Sequence, residues 1–314
     1  MVQIQKVHGS GNSFFLLDQT ILKQPLTQTQ LIDLAKDLTR NVLGGADGLL
    51  VVSPSTHPGA LGKMQVINAD GSIASMCGNG LRTVARYLAD KFHEDQFLVE
   101  TANADLQVKK EPDWAPDVHC MSVEISPVSF ERTTLPFDNL DCEQLINAEV
   151  TDFAPDLKFS AIAVPNPHLI SFVDQNILDS DLLKNLGTKL NSPNPYFPEG
   201  VNVNFAKIID ERHLFVQTFE RGVGFTNACG TGMSATSLAF ALNYPEYDAF
   251  NKLLTITNPG GFVQTRVHND EQQYWMELIG NATITHILDL ELPNYQKIKV
   301  QETSEDAAYQ KFIK

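Results

Sequence analysis

Two short segments carry the residues whose type and spacing point most directly to chemistry. Cys77-Gly-Asn-Gly80 and Cys229-Gly-Thr-Gly232 each follow a glycine-containing turn, and each leads into a helical pattern. A cysteine just before a helix lies at the positive end of the macrodipole, which is expected to lower its pKa and raise the thiolate fraction. The Gly-x-Gly behind it lets backbone N–H groups turn toward an anion without interference from Cβ. Each copy therefore offers an activated thiol and an anion-binding nest. A buried cysteine taken singly is usually an inert small apolar side chain, so the argument rests on the repetition, about half the chain apart. If the two copies face each other, a carboxylate fits between two helix N-termini, with a thiol on each side of the carbon next to it. One thiolate would remove the α-proton, and the other thiol would protonate the opposite face, which is racemisation or epimerisation. Donors aimed at the carboxylate would stabilise the developing enolate-like charge. A single nucleophilic cysteine with an orienting histidine is the other option, and it leaves the second copy unexplained. Cys120 and Cys142 lie in no such context and read as structural.

The elements that must position these thiols are mostly strands. Period-two runs occur at 64–68, 97–101, 123–125, 214–219, 253–257, 262–267 and 274–278. Leu31, Leu34, Ala35 and Leu38 have helical spacing, with Thr27 and Thr29 upstream as candidate caps. Leu81, Val84, Ala85 and Leu88 mark a helix behind the first cysteine. A third helix, from about Met233 to Leu242, is apolar or small nearly all round and is expected to be buried. The proline-bearing stretch 127–156 reads as a domain boundary, and 192–200 as a restricted loop. The segment from Gln301 reads as a short terminal helix or a frayed end.

The chain has 314 residues, about two domains' worth. With 23 Lys and Arg against 38 Asp and Glu, its formal charge is −15. That excludes the basic surface a nucleic-acid binder needs and disfavours docking on anionic membranes. No apolar run reaches the ~18 residues of a membrane span, and the first residues do not read as a secretory signal. The four cysteines match no disulfide framework or zinc pattern, so the expectation is a cytoplasmic protein with reduced thiols and no metal. There is neither a G-x-G-x-x-G after a strand nor a G-x-x-x-x-G-K-[ST], and the two-thiol chemistry requires no cofactor in principle.

In six ordered segments the chain resembles diaminopimelate epimerases, a pyridoxal-phosphate-independent family. They are Val7-His-Gly-Ser-Gly-Asn12, Gly44-Gly-Ala-Asp-Gly-Leu-Leu50, Asn68-Ala-Asp-Gly-Ser72 with Met76-Cys-Gly-Asn-Gly-Leu-Arg82, Val164-Pro-Asn-Pro-His168, Gly200-Val-Asn-Val-Asn-Phe205, and Glu220-Arg-Gly-Val-Gly224 with Ala228-Cys-Gly-Thr-Gly232. The resemblance implies interconversion of LL- and meso-diaminopimelate in lysine and peptidoglycan precursor synthesis, with Cys77 and Cys229 as the acid/base pair. It implies that Gly78, Asn79, Gly230 and Thr231 hold the reacting carboxylate. Asn12, Asn68, Asn166, Asn202, Glu220 and Arg221 would line the substrate, with Arg221 suited to the distal carboxylate and Glu220 to an ammonium group. His168 would tune or orient the site. Read without the resemblance, Asn68 is a turn residue and the adjacent Glu220 and Arg221 are solvated charges. Asn202 and Asn204 alternate with valines in a strand, and Asn204 is the one expected to face solvent.

Four positions depart from the commonest family pattern: Ser13 for Asp, Thr83 for Cys, Phe225 for Glu and Asn281 for Pro. None removes a thiol or a nest glycine. The expected fold is α+β, in two pseudo-symmetric halves, each a mostly antiparallel curled, barrel-like sheet around a central helix. The expected halves are residues 1–128, joined by 283–314 and carrying Cys77, and residues 129–282, carrying Cys229. The resemblance also implies a homodimer. A cofactor-independent racemase of another amino acid, such as histidine or proline, is the alternative. A phenazine-pathway relative would lack the paired thiols.

Overall fold

The structure, a computed structural model, describes residues 1–74, 76–271, 273–291 and 298–314. It divides into two units, Met1–Val123 with Ile279–Lys314, and Glu124–Leu278. The chain opens with β1 (Val2–Gly9), β2 (Asn12–Asp18), α1 (Gln28–Asn41), β3 (Gly48–Ser53), β4 (Ala60–Asn68), β5 (Ile73–Ala74), α2 (Gly78–Phe92), β6 (Gln96–Glu100), β7 (Asp105–Ala115) and β8 (Val118–Ile125). The second unit holds β9 (Ala148–Glu149), β10 (Lys158–Ala163), β11 (Pro167–Phe172), α3 (Gln175–Leu178), α4 (Leu182–Leu190), β12 (Asn202–Asp210), β13 (His213–Glu220), β14 (Gly224–Thr226), α5 (Gly230–Asn243), β15 (Leu253–Asn258), β16 (Gly261–Asp270) and most of β17 (Gln273–Asn281). The chain then returns to the first unit as β18 (Thr283–Leu290), β19 (Ile298–Glu302) and α6 (Glu305–Phe312).

The two units repeat one pairing pattern. In the first, β1–β2 is antiparallel, β2–β3 parallel, β3–β4 antiparallel, β4–β6 parallel and β6–β7 antiparallel. In the second, β10–β11, β11–β12, β12–β13, β13–β15 and β15–β16 follow the same sequence of polarities. A short strand, β5 or β14, folds back on its predecessor in each, and the cysteine and helix follow it. In the first unit α2 touches β1, β2, β3, β4 and β7, and in the second α5 touches every strand from β10 to β13 together with β15 and β16. Each sheet therefore curls around its helix, as expected for the α+β fold. β18 pairs antiparallel with β1, adding the chain's end to the first sheet.

Local chemistry explains the helix starts. Thr27 caps α1 in a reciprocal box with Gln30, whose side chain returns to the Thr27 N–H. The helix α5 is buried on nearly all sides. Its polar residues are tolerated there because the hydroxyls of Ser234, Thr236 and Ser237 donate to the carbonyls one turn back, at 2.8–3.0 Å. Small side chains on α5 let strands approach from several directions. A fully buried arginine, Arg82 on α2, donates to the Asn281 carbonyl at 3.2 Å and to Ser10 Oγ at 3.0 Å. It thereby ties the helix to the β1–β2 turn. Burial lowers its pKa to about 10, so it stays a cation at neutral pH.

Candidate active site

In the first unit, Cys77 is the N-cap of α2, with extended backbone (φ −150°, ψ 103°). Its Sγ accepts from the Gly80 N–H at 3.3 Å, so the sulfur does the work of a capping oxygen for one orphan first-turn donor. The thiol faces Asn12 Oδ1 at 3.7 Å, and Asn79 Nδ2 donates to the same oxygen at 3.4 Å. Asn12 is oriented by Asp47: its Nδ2 donates to Asp47 Oδ2 at 2.6 Å, and the Ser13 N–H donates to that oxygen at 2.8 Å. With the amide nitrogen taken by a carboxylate, Asn12 Oδ1 must point toward the thiol. Asp47 was not among the candidate residues. Its signal was a charge inside a glycine-rich segment, which has no recognisable role until its partner is known. Asn68 is the last residue of β4, at the start of the turn into β5, with Nδ2 donating to Ser72 Oγ at 2.9 Å. The Oδ1 of buried Asn79 has no hydrogen-bond partner among the described residues.

In the second unit, Cys229 is the buried N-cap of α5, and its Sγ lies 3.6 Å from Thr231 Oγ1. Thr231 Oγ1 also meets Asn166 Nδ2 and His168 Nε2, both at 3.2 Å. The Glu220 carboxylate lies beside the Cys229 thiol and accepts the Thr226 hydroxyl at 2.6 Å. Asn202 Oδ1 accepts from the Arg221 N–H at 2.8 Å, and Arg221 Nη1 donates to the Glu199 carbonyl at 3.0 Å. That leaves most of an exposed guanidinium available to a ligand carboxylate. The second unit thus brings Glu220, Gly230 and Thr231 to Cys229, with Asn166 and His168 reached through Thr231 and Asn202 paired with Arg221, and the first brings Asn12, Gly78 and Asn79 to Cys77. Among the described residues, no cluster of three or more His, Cys, Asp or Glu is placed to hold a metal ion, and no helix is long and apolar enough to cross a membrane.

Two expectations are corrected. Neither thiol has a lowered pKa. Burial pushes Cys77 above its ordinary 9.0, and it raises Cys229 to about 12 with the Glu220 charge as the second cause. The Gly80 and Gly232 N–H groups act in the expected direction, but losing water costs the thiolate more than these dipoles return. The second correction is Asn204, which is wholly buried rather than solvent-facing. It lies between His168 Nδ1 at 3.1 Å and the Thr218 hydroxyl at 2.9 Å.

The departures from the family pattern also find places. Asn281 Oδ1 accepts the Ser10 N–H at 2.8 Å, and its Nδ2 donates to Thr283 Oγ1 at 2.8 Å. The Thr83 hydroxyl donates to the Gly80 carbonyl at 2.8 Å. Phe225 is 56% exposed and packs edge-on against Phe219, ring centroids 5.6 Å apart.

Gly80 and Gly232 stand at matching positions, yet their tolerance should differ. A Cβ on Gly232 would lie 2.5 Å from Asn204 Oδ1 and 3.3 Å from Cys229 Sγ. A Cβ on Gly80 would lie 2.8 Å from Leu50 Cδ2, the far end of an apolar side chain that can rotate. Gly232→Ala is expected to cost about 1–3 kcal/mol of stability in denaturant unfolding, and Gly80→Ala clearly less. Equal losses would mean that Asn204 yields as easily as a leucine tip.

The family model described as "Diaminopimelate epimerase" matches residues 4–126 and 160–285. The diaminopimelate epimerase of Lactiplantibacillus plantarum is 49% identical, covering 99% of this chain and 98% of its own. That of Enterococcus faecalis is also 49% identical, over 99% and 98%. Among solved structures, a Bacillus anthracis phenazine biosynthesis protein of the PhzF family superposes with a TM-score of 0.64, covering 93% of this chain and 99% of its own. At 14% identity that likeness concerns the fold alone.

Proposed function

Because the chain belongs to the diaminopimelate epimerase family, we propose that it interconverts LL- and meso-diaminopimelate for lysine and peptidoglycan precursor synthesis, with Cys77 and Cys229 as the two proton-transfer groups. The observation that carries the assignment of these groups is the duplication itself: in each unit a short back-folded strand is followed by a cysteine at the N-cap position of the central helix. The first-turn N–H groups of Gly78, Asn79, Gly230 and Thr231 are orphan donors at helix N-termini, suited to a carboxylate. Held there, the substrate carboxylate takes up the charge that develops when the α-proton leaves, as in an oxyanion hole. One cysteine, as thiolate, removes the α-proton, and the other, as thiol, supplies a proton to the opposite face. Raised thiol pKa values suit the proton-donating half of this work. The thiolate at the other position draws on the Gly80 N–H at Cys77, or the Thr231 hydroxyl and Gly232 N–H at Cys229. Arg221 would pair with the distal carboxylate and Glu220 with an ammonium group, while Asn12, Asn68, Asn166 and Asn202 would line the substrate. The reading needs no cofactor. It includes a cytoplasmic location, supported by four free cysteines, and a homodimer, supported by the family resemblance.

The test follows LL-diaminopimelate with reduced, pyridoxal-free protein in D₂O, by optical rotation and ¹H NMR. The expected result is inversion with solvent deuterium at the α-carbon of the inverted centre. If the folded, reduced protein leaves LL-diaminopimelate unchanged, the substrate assignment fails; exchange of histidine or proline instead would make it a racemase of that amino acid.

A further inference from the structure

Asn204 and Thr218 lie outside the set of residues expected to touch substrate, yet both are buried beside the second thiol. Asn204 Nδ2 lies among three polar atoms: His168 Nδ1 at 3.1 Å, the Asn202 carbonyl at 3.2 Å and the Leu169 carbonyl at 3.4 Å. Two of these are carbonyl oxygens that can never donate. Turning the amide over would place Oδ1 against both of them, so the nitrogen must stay on that side. On the other side, Oδ1 accepts the Thr218 hydroxyl at 2.9 Å, which satisfies it in that orientation. His168 Nδ1 therefore faces an N–H donor and must carry a lone pair. The ring is neutral, and its proton sits on Nε2. Burial and the nearby Arg221 charge hold its pKa down at about 3, in keeping with that state.

The consequence reaches the thiol. His168 Nε2–H lies 3.2 Å from both Asn166 Oδ1 and Thr231 Oγ1, which orients the Asn166 amide with its oxygen toward the ring, so that Asn166 Nδ2 donates to Thr231 Oγ1 at 3.2 Å. With donors on that side, the Thr231 hydroxyl proton is directed to the other partner found among the described residues, Cys229 Sγ at 3.6 Å. We propose that Asn204, held by Thr218, fixes His168 as the Nε2–H tautomer, and that this directs the Thr231 hydroxyl to donate to Cys229 and stabilise its thiolate. Asn204 and Thr218 are positioning residues, acting through His168. The inference rests on the reading of Cys229 as a proton-transfer group. The charged groups facing the chain are Glu220, beside Cys229, and Arg221, toward His168. Glu220 opposes the thiolate, which gives the donated hydrogen bond something to offset.

The test needs no substrate, so it is separable from the diaminopimelate assignment. Long-range ¹H–¹⁵N NMR on the wild-type protein is expected to show His168 bare at Nδ1, protonated at Nε2, and unchanged from pH 8 to pH 5. A proton on Nδ1 overturns the proposal. Iodoacetamide alkylation at pH 8, mapped peptide by peptide, reads the thiolate fraction of each cysteine. A hydrogen bond to a charged group is worth roughly a 10- to 100-fold shift in equilibrium. Thr231→Val should slow Cys229 alkylation by about that factor, leaving Cys77 alkylation and the His168 tautomer unchanged, and Thr231→Ser should restore the rate. Asn204→Leu should slow Cys229 alkylation and also bring up the second tautomer. If Thr231→Ser is as slow as Thr231→Val, the threonine acts by shape and the proposal fails. Should Asn204→Leu not fold, Thr218→Val replaces it, with the same shift in tautomer expected to a smaller extent; a tautomer indifferent to Thr218 would show that Thr218 holds nothing.

Discussion

Cys77→Ala and Cys229→Ala are each expected to lower inversion of diaminopimelate by roughly 10³-fold or more, because a positioned acid or base contributes about 10²–10⁴. The sharper expectation concerns exchange without inversion. On the two-thiol reading, each variant keeps one thiol, which serves the α-proton of one configuration only. One variant should therefore slowly wash solvent deuterium into the LL isomer and the other into the inverted centre of the meso isomer. The double variant should do neither. Proton NMR in D₂O with each isomer, taken separately, measures both. If either single variant inverts the centre at near the wild-type rate, one group serves both faces and the two-thiol mechanism is wrong. Cys77→Ala also loses the acceptor for the Gly80 N–H, worth about 1 kcal/mol to helix α2. Cys77→Ser, which keeps a capping oxygen, separates lost chemistry from lost stability.

The thiols, their glycines and the doubled architecture were legible because they depend on local pattern. A cysteine before Gly-x-Gly and an apolar helix can be read from a dozen residues, and the repeat at residues 77–80 and 229–232 supplied its own control. The strands that show one face to water were also legible, β13 and β16 among them, since period-two alternation survives there. β3 was not, because Leu49, Leu50, Val51 and Val52 are all buried and leave no alternation to count. The roles of Asp47, Asn204 and Arg82 were invisible for another reason. Each acts through a partner far away in sequence: Asn12 for Asp47, His168 for Asn204, Ser10 and Asn281 for Arg82. A polar residue in a strand defaults to the solvent face until such a partner is known, which is how Asn204 was misplaced.

The raised thiol pKa values teach a related lesson about magnitude. The sequence shows where a dipole points but not how much water the group loses. At Cys229 the favourable donors are a hydroxyl and an N–H, while the opposing causes are near-complete burial and a carboxylate. A helix N-terminus offers a partly buried charge at most ~2 kcal/mol, less than the several pKa units that full burial can impose. The dipole therefore moderates the thiol without making it acidic.

The second large effect expected is on acid stability, and it follows from His168. Its pKa falls from an ordinary 6.5 to about 3 in the folded protein. The folded value is depressed, so below pH 6.5 the unfolded chain binds a proton that the native protein refuses. Stability present above pH 6.5 is then lost as pH falls toward 3, at a slope approaching about 1.4 kcal/mol per pH unit, or roughly 2 kcal/mol between pH 6.5 and 4.5. His8 is depressed by its own burial and adds in the same direction. Asp18 and Glu100 also have lowered pKa values, but their contributions are lost only as pH falls through the carboxylate range, below about 4.5. The interval from 6.5 to 4.5 therefore belongs mainly to the histidines. His168→Gln keeps a side-chain N–H but has no proton to take up. It should be about 1–3 kcal/mol less stable at pH 7.5, since Asn204 loses its acceptor, and it should lose stability more slowly on acidification. Denaturant unfolding at pH 7.5, 6.5, 5.5 and 4.5 should thus give curves that converge toward acid. Parallel curves would mean that His168 titrates alike in the folded and unfolded chains, and a histidine buried neutral between Asn204 and Thr231 cannot do so.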